Sequence, residues 1–564
     1  MASITGKPNL FFITSPRSPY KMKDEIKVLV ENFSGQRWSG NPDLQRLYYR
    51  TLAETPFFYG SKNGDLALKA RDRITRGPKA LGLVDIEPNV ALTPAGYNYI
   101  YESFSDEAFT RQLLKFQLPS PFHVDRKGTF FVKPYLELFR LIDDLGELSK
   151  DEIAAFAMQL IHLDKYEEIM NKIIEFRNVE KFIDRSKSNY DRFFDDQFTQ
   201  EIMQTYKENI ESGDYSIRQS GTNTIDDFVK TKKSNHLDYA DAAIRYLRET
   251  KLFSIKGFRS TKIRIDENKK EEIKFLVASV SREPELFTSE DDYKKYLFND
   301  EVPVLLSDDR DYLINSLINE YPVFTLQELE KSGTLDLKIL RSAKNEERLI
   351  KLLKKQEDEL KTYDSYASIV EVFDSIQSHS TFDPSLFMEW NTWRALVMLD
   401  DGTITGNFTL DDTGMPLANA PGNKSDIVCN YNDFDLTVEV TLSSGVTQYV
   451  MEGEPVPRHL GNLQKESPKS CYGLFIAPHI NEATLSHFFV LHRTNVSYYG
   501  GIARIIPLAL DDFKRMIELA YTNETKPDSR NIGYFTDKAS VLALSSNDEH
   551  EWYEGIRGLI ETWV

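Results

Sequence analysis

The chain has 564 residues, 41% hydrophobic, 28% charged and 12% aromatic, with a formal net charge of −19, a globular composition long enough for roughly two to four domains. No apolar run approaches membrane-spanning length and Met1–Asn9 lacks a secretory core, which excludes a membrane-embedded chain and leads us to expect a cytoplasmic one. Two cysteines, Cys429 and Cys471, and nine histidines without ligand spacing exclude a disulfide framework and a zinc site and fit a reducing compartment.

The charge is uneven. Residues 1–135 carry 19 Lys/Arg against 13 Asp/Glu, and the remaining residues 50 against 75. A basic N-terminal segment on an acidic body can concentrate a polyanion at one face; chance drift accounts for charge alone equally well. Within residues 1–135 the pattern predicts short helices and turns, with the helix of "TRQLLKFQLPSPFH" running to Leu118 and stopped by Pro119 and Pro121.

Residues 136–285 read as more strongly helical. Leu138, Leu141, Ile142 and Leu145 share one helical face, and a new helix starts at a Ser149 N-cap. "DYADAAIRYLRETKLFSIKG" predicts helix, strand and turn, the order of a winged-helix module, although all-α packing accounts for it nearly as well. Residues 286–378 are charged and helical, a hairpin or spacer. From residue 379 to 564 strands alternate with helices in "GTITGNFTLDD", "SCYGLFIAP" and "RIIPLALDDF", predicting an α/β domain on a mixed sheet.

Several chemistries lack their motifs. There is no GxxxxGK[ST] loop, no GxGxxG after a strand and no GxSxG elbow, which disfavours nucleotide motors, dinucleotide enzymes and serine hydrolases. What remains is "SDIVCNYNDFDLTVEVTLSSG", Ser425–Gly445. Phe434, Leu436, Val438, Val440 and Leu442 alternate with Asp435, Thr437, Glu439 and Thr441, predicting a half-buried strand. A two-residue turn at Asn432–Asp433 pairs Ile427 with Val438 and Cys429 with Leu436 and sets Asp426 opposite Glu439. Like charges opposite each other destabilise a hairpin, so something positive is expected there. Paired carboxylates in an α/β domain suit Mg²⁺ and phosphodiester hydrolysis; exposed acids on a polar face are the alternative.

The Asp426/Glu439/Thr441 spacing resembles the PD-(D/E)xK nuclease core, with Ser425 at the motif's proline position and Thr441 at its lysine position. "FMEWNTWRAL" predicts an amphipathic helix with Glu389 near its start and Trp390, Trp393 and Leu396 on its apolar side. "VTQYVMEGEPVPRHL" places Gln448 and Glu452 on one helical face and Arg458–His459 just past a Pro-bounded turn. Glu389, Asp426, Glu439, Glu452 and His459 could thus close round one metal.

Ordered blocks make the resemblance specific. "TSPRSP" (Thr14–Pro19), "RDRITRGPKALG" (Arg71–Gly82), "QLLKFQLPSPFH" (Gln112–His123), "EWNTWRA" (Glu389–Ala395), "APGNKSDI" (Ala420–Ile427), "VEVTLSSGVTQYVMEGEPVPRH" (Val438–His459) and "FIAP" (Phe475–Pro478) resemble the AlwI family of type IIS restriction endonucleases. The resemblance implies a multidomain α+β bacterial enzyme. Recognition regions would occupy 1–135 and 136–285, the second winged-helix-like, with a helical linker over 286–378 and a PD-(D/E)xK cleavage domain over 379–564. It implies catalytic roles for Glu389, Asp426, Glu439, Glu452 and His459, with Asp426, Glu439 and the Val440 carbonyl holding Mg²⁺. Family members also carry threonine at the lysine position, so His459 or Glu452 is expected to take over that lysine's task.

Arg17, Arg71, Arg73, Arg76, Lys79 and Lys115 are candidate DNA-binding residues, with arginine suited to guanine and lysine to phosphate. The resemblance implies double-stranded DNA cut a few bases outside a short asymmetric site, leaving 5′-phosphate and 3′-hydroxyl ends. Double-strand cutting implies a transient homodimer through the cleavage domain, and self-protection a separate methyltransferase. The alternatives are a strand-specific nicking enzyme of the same family, a non-catalytic DNA-binding regulator and a general repair nuclease.

Overall fold

In the computed structural model, residues 2–55, 57–58, 60, 63–183, 187–217, 223–256, 261–378, 381–399, 402–411, 413–420, 424–524 and 527–564 are described. They group into two compact units, one spanning most of residues 1–344 and the other Asn345–Val564. The chain is thus multidomain α+β. The boundary falls inside a helix, Thr334–Leu360, within the charged stretch read as a spacer.

The first unit is mostly helical. Its helix α1 (Ser105–Lys115) ends three residues before the predicted Leu118, since the Phe116 backbone is already extended. The N–H and C=O of Leu118 instead exchange bonds with Val132. Helix α2 (Pro134–Leu145) buries Leu138, Leu141 and Ile142. Strand β1 (Glu147–Ser149) then leads into α3 (Lys150–Ala155), whose first turn is closed by a reciprocal box. Ser149 Oγ accepts from the Glu152 N–H at 3.1 Å, and the Glu152 carboxylate accepts from the Ser149 N–H at 2.7 Å. Helix α4 (Ile225–Glu249), β2 (Phe253–Lys256) and β3 (Lys262–Ile265) follow, and the strands form a sheet in the order β1-β3-β2. The predicted turn at Gly257 lies outside the described residues.

The N-terminal segment runs through this unit's aromatic core. Tyr135 Oη accepts from the Ile13 N–H, while the buried hydroxyls of Tyr246 and Tyr99 donate to the carbonyls of Pro16 and Pro19. The "TSPRSP" stretch is therefore fixed through its main chain, leaving the exposed Arg17 side chain at the surface.

The second unit is built on helix α5 (Pro384–Leu399) and strands β4 (Thr403–Gly406), β5 (Ile427–Asn430) and β6 (Phe434–Val440). Helices α6 (Gly445–Glu452) and α7 (Pro455–Glu466) cross over to β7 (Ser470–Ala477). Helix α8 (Glu482–Leu491) returns the chain to β8 (Ile505–Ala509), and α9 (Ser529–Ser545) follows later. The sheet order is β8-β7-β6-β5-β4. β6 and β8 both run parallel to β7, and β5 runs antiparallel to β4 and β6. This is the mixed sheet that the strand pattern predicts.

Two expectations need correction. β6 is buried along its whole length, not half-buried. It is the central strand: His459 of α7 meets its Glu439 face, and Gly533 of α9 lies against Phe434 on the other. Likewise α5 is not amphipathic, because every residue from Leu386 to Leu399 is buried. Trp393 Nε1 donates to the Ile404 carbonyl, and Asn391 Nδ2 to that of Ile369.

Helix α7 approaches its neighbours closely because residue 461 is glycine. A Cβ there would lie 2.5 Å from the Tyr499 carbonyl oxygen and 2.7 Å from its carbon, distances that require backbone displacement. Gly461→Ala is expected to lower stability by about 1–3 kcal/mol, measured by chemical denaturation, and to weaken whatever activity depends on His459, two residues earlier. Unchanged stability would show that α7 is not held by this contact.

Candidate active site

The hairpin register is the one the alternation predicts: Ile427 pairs with Val438, Val428 with Thr437, Cys429 with Leu436 and Asn430 with Asp435. The turn closes through the Tyr431 N–H on the Phe434 carbonyl. Extending this register one step places Asp426 beside Glu439. Each carboxylate is tied to the other strand's backbone: Asp426 Oδ2 accepts from the Val440 N–H at 2.8 Å, and Glu439 accepts from the Asp426 N–H.

Three further groups converge there. Glu389 is 5% exposed and accepts from Asn419 Nδ2 at 2.6 Å and the Ala420 N–H at 3.1 Å. His459, 7% exposed, sets its Nδ1 2.8 Å from Glu439 Oε1. Glu452, at the end of α6, is half-buried and hydrogen-bonded to the Thr441 side chain. The expected Pro-bounded turn is in fact the junction of α6 and α7, so Arg458 and His459 lie within a helix, not beyond a turn. Gln448 shares α6 with Glu452 but points elsewhere. Its amide donates to the Ser443 and His479 carbonyls and accepts from the Asn481 N–H, holding α6 against the end of β7.

The electrostatics are those of acids gathered against their charge. Burial raises the Asp426 carboxyl well above its ordinary value, with Glu389 and Glu439 adding to the shift. Glu439 is raised in the same way, by burial and then by Glu452 and Glu389. Burial also raises Glu452, opposed by Thr441 and His459. Since Glu439 is only 6% exposed, a solvated acidic face does not account for these residues. Their carboxylate oxygens fit a hard divalent cation, while the His459 Nδ1 is engaged with Glu439. As placed, no three His, Cys, Asp or Glu side chains among the described residues form a ready ligand shell; protein donors occupy part of each carboxylate instead.

Asn419 and the Ala420 amide were not legible as site residues. They precede Pro421–Asn423 of the "APGNKSDI" block, which lie outside the described residues; their only signal is the turn-rich "NAPGN" just before Asp426.

The six candidate DNA-binding cations separate by exposure. Arg17, Arg71 and Arg76 are exposed. Arg17 pairs with Asp238 and Asp241 at 2.6 and 2.8 Å, Arg76 pairs with Asp72 at 3.0 Å, and Arg71 donates to Gln45. Arg73 is half-buried against Glu25, and Lys79 is half-buried between Glu87 and the Phe122 ring. Lys115 is a correction: it is fully buried, and its ammonium donates to the Tyr296, Leu297 and Asn299 carbonyls. Burial, with Arg111 adding to it, lowers its pKa to about 7. Its role is in the core.

A sequence profile of the AlwI restriction endonuclease family matches residues 79–516. Among solved structures, the small subunit (R.BspD6I2) of the heterodimeric restriction endonuclease R.BspD6I is 25% identical, with 35% of this chain and 98% of that one covered and a TM-score of 0.30. The BpuJ1 endonuclease binding domain, in complex with pyrene- and phenanthrene-modified DNA, is 17% identical over 49% of this chain and 90% of that one, at a TM-score of 0.31. No curated protein sequence matches. Among the described residues no helix is long and apolar enough to cross a membrane.

The raised acids fix the sign of a pH effect. An unfolded aspartate titrates near about 3.9. Between that value and the higher folded one, the folded chain holds a proton the unfolded chain has lost, so stability falls as pH rises. Asp426→Asn removes that cost while keeping an acceptor for the Val440 N–H. In metal-free buffer it is expected to raise Tm by a few degrees at pH 8 and not at pH 4. A lowered Tm at pH 8 would contradict the electrostatic account.

Proposed function

Because the chain belongs to the AlwI restriction endonuclease family and is therefore a site-specific nuclease acting on DNA, we propose that it is a type IIS enzyme whose Asp426–Glu439 hairpin is the cleavage centre. The observation that carries this reading is the convergence of four mutually repelling carboxylates round one strand end, Glu389 and Glu439 buried and Asp426 and Glu452 half-buried. An arrangement this costly to the fold is expected where a cation completes it.

Asp426, Glu439 and the Val440 carbonyl would hold Mg²⁺, which supplies positive charge to a phosphate under attack and lowers the pKa of water. The remaining roles follow from the side chains. His459 positions Glu439 through the Nδ1 contact and lies too deep to serve as the first acceptor of a proton from water. Glu452 is more accessible and its pKa is raised, the property of a general base working near neutrality. Thr441 fills the motif's lysine position by holding Glu452. Glu389, fixed by Asn419 and Ala420, bounds the site's third side. In-line attack by water then leaves a 5′-phosphate and a 3′-hydroxyl.

Recognition is assigned to the first unit, with Arg17, Arg71 and Arg76 as its exposed candidates. Arg73 and Lys79, half-buried and paired with Glu25 and Glu87, are weaker candidates, and the sheet-bearing 136–285 region is taken as winged-helix-like. One such centre cuts one strand, so double-strand cleavage calls for a transient second copy on DNA and nicking for a lone one. A separate methyltransferase would protect the host's own sites.

The test is cleavage of supercoiled plasmid with Mg²⁺ or with EDTA. Discrete Mg²⁺-dependent fragments are expected, and specific binding without cutting in any divalent metal would favour a non-catalytic regulator. Glu452→Gln is expected to lose about 10²–10⁴-fold in single-turnover cleavage while binding DNA as before. His459→Ala is expected to lose less, about 10–100-fold, with partial recovery at high Mg²⁺. Full activity of His459→Ala at saturating Mg²⁺ would remove it from the site.

A further inference from the structure

The three-stranded sheet of the first unit presents two unlike faces. On its inner face Leu148, Phe253, Ile255, Ile263 and Ile265 are buried, with Leu148 and Ile255 both opposite Ile263 and Phe253 opposite Ile265. The alternate positions form two rows across the strands: Glu147–Arg264–Ser254 and Ser149–Lys262–Lys256. Lys256 is exposed and lies directly opposite Lys262, while Lys262 and Arg264 are partly exposed.

Two lysines facing each other across a ladder repel, which is the reverse of the acid pair in the second unit. The apolar face forbids the obvious relief. A one-residue slip of β2 against β3 would turn Phe253 and Ile255 outward, so the register holds the cations together. Lys262 pairs with Glu147 at 2.7 Å, leaving three cations to one acid across both rows. Arg177 at the edge donates to the Glu147 carbonyl, its own charge met by Glu152 at 2.6 Å, so the excess rests on Lys256, Lys262 and Arg264. Burial pulls the Glu147 pKa up, yet Lys262, Lys256 and Arg177 together hold it below its ordinary value.

We infer that Lys256, Lys262 and Arg264 form a sequence-independent contact for the phosphate backbone of DNA. The inference rests on the DNA-cleaving reading above and adds a face outside the basic N-terminal segment, in a part of the chain whose net charge is acidic. Neighbouring strands stand about 4.8 Å apart and alternate residues about 6.6 Å, so the three long side chains can reach more than one phosphate oxygen along a backbone. With no base-edge donor or acceptor geometry demanded of them, they serve as charges.

The test uses the full chain in EDTA, binding a short duplex of arbitrary sequence and a duplex carrying the cleavage site, titrated with salt. Lys256→Gln and Arg264→Gln are each expected to weaken binding to both duplexes by the same factor and to lower the slope of log K against log salt by about one unit. Glu147→Gln is expected to tighten binding to both, because it removes a competing acid. Relief of the Lys256–Lys262 repulsion means that Lys256→Gln should leave Tm unchanged or raise it, so weakened binding cannot be misfolding. Wild-type slopes and affinities in Lys256→Gln and Arg264→Gln would overturn the inference while leaving the DNA-cleaving reading intact. An effect confined to the cleavage-site duplex would also overturn it, in favour of base reading. Failure of the wild-type chain to bind either duplex would overturn both.

Discussion

Two carboxylates held side by side where neither can ionise freely impose the constraint on which the second unit depends. Asp426 and Glu439 meet because the apolar residues between them fix one hairpin register, and each is tied to the other's strand by a backbone N–H. The fold then adds to the repulsion. Glu389 comes from a helix buried on every side and Glu452 from the end of α6, while the close packing of α7 at Gly461 sets His459 on Glu439. Unpaired buried charge is among the most expensive things a protein can contain. Here several carboxyls are gathered at one strand end against their mutual repulsion, and hydrogen bonds from Asn419, Ala420 and Val440 and the His459 contact offset part of that cost.

This arrangement divides the labour among residues that the motif alone would treat alike. Asp426 and Glu439 lie side by side, His459 contacts Glu439, and Glu452 is half-buried with Thr441 beside it. On the proposed reading, Thr441 at the motif's lysine position brings no cation but keeps a hydrogen-bond donor beside Glu452. Both units use the same device: an apolar face fixes a register, and the opposite face is left with like charges that a ligand of opposite sign can relieve. In the second unit those charges are acids suited to a cation; in the first they are lysines and an arginine suited to a polyanion.

Much of this was legible in the letters. The hairpin register followed from alternation, since only one pairing places Ile427, Cys429, Leu436 and Val438 together. The Ser149 start followed from its N-cap residue, which the structure completes with a capping box. Burial was harder to read. Asp435, Thr437 and Glu439 looked like a solvent face because polar residues on alternate positions usually are. Their burial depends on α7 covering them, a tertiary fact with no local signature. Asp435 survives there because Ser467, Asn430 and Lys469 bond its carboxylate. Lys115 misled for a related reason: charge suggested a surface, whereas three carbonyls from residues 296–299 supply its partners. Helix α5 reads as amphipathic because its polar residues look solvent-facing, but helix Tyr366–Gln377 accepts the Asn391 amide, and strand β4 accepts the Trp393 indole N–H on the other side.

The central claim is that the buried acids are a cation site, and anomalous scattering from Mn²⁺-soaked crystals tests it most directly. The account predicts an anomalous peak between the Asp426 and Glu439 carboxylates, lost in Asp426→Asn. A soaked crystal with no peak at that hairpin, or with manganese bound only elsewhere, would contradict it.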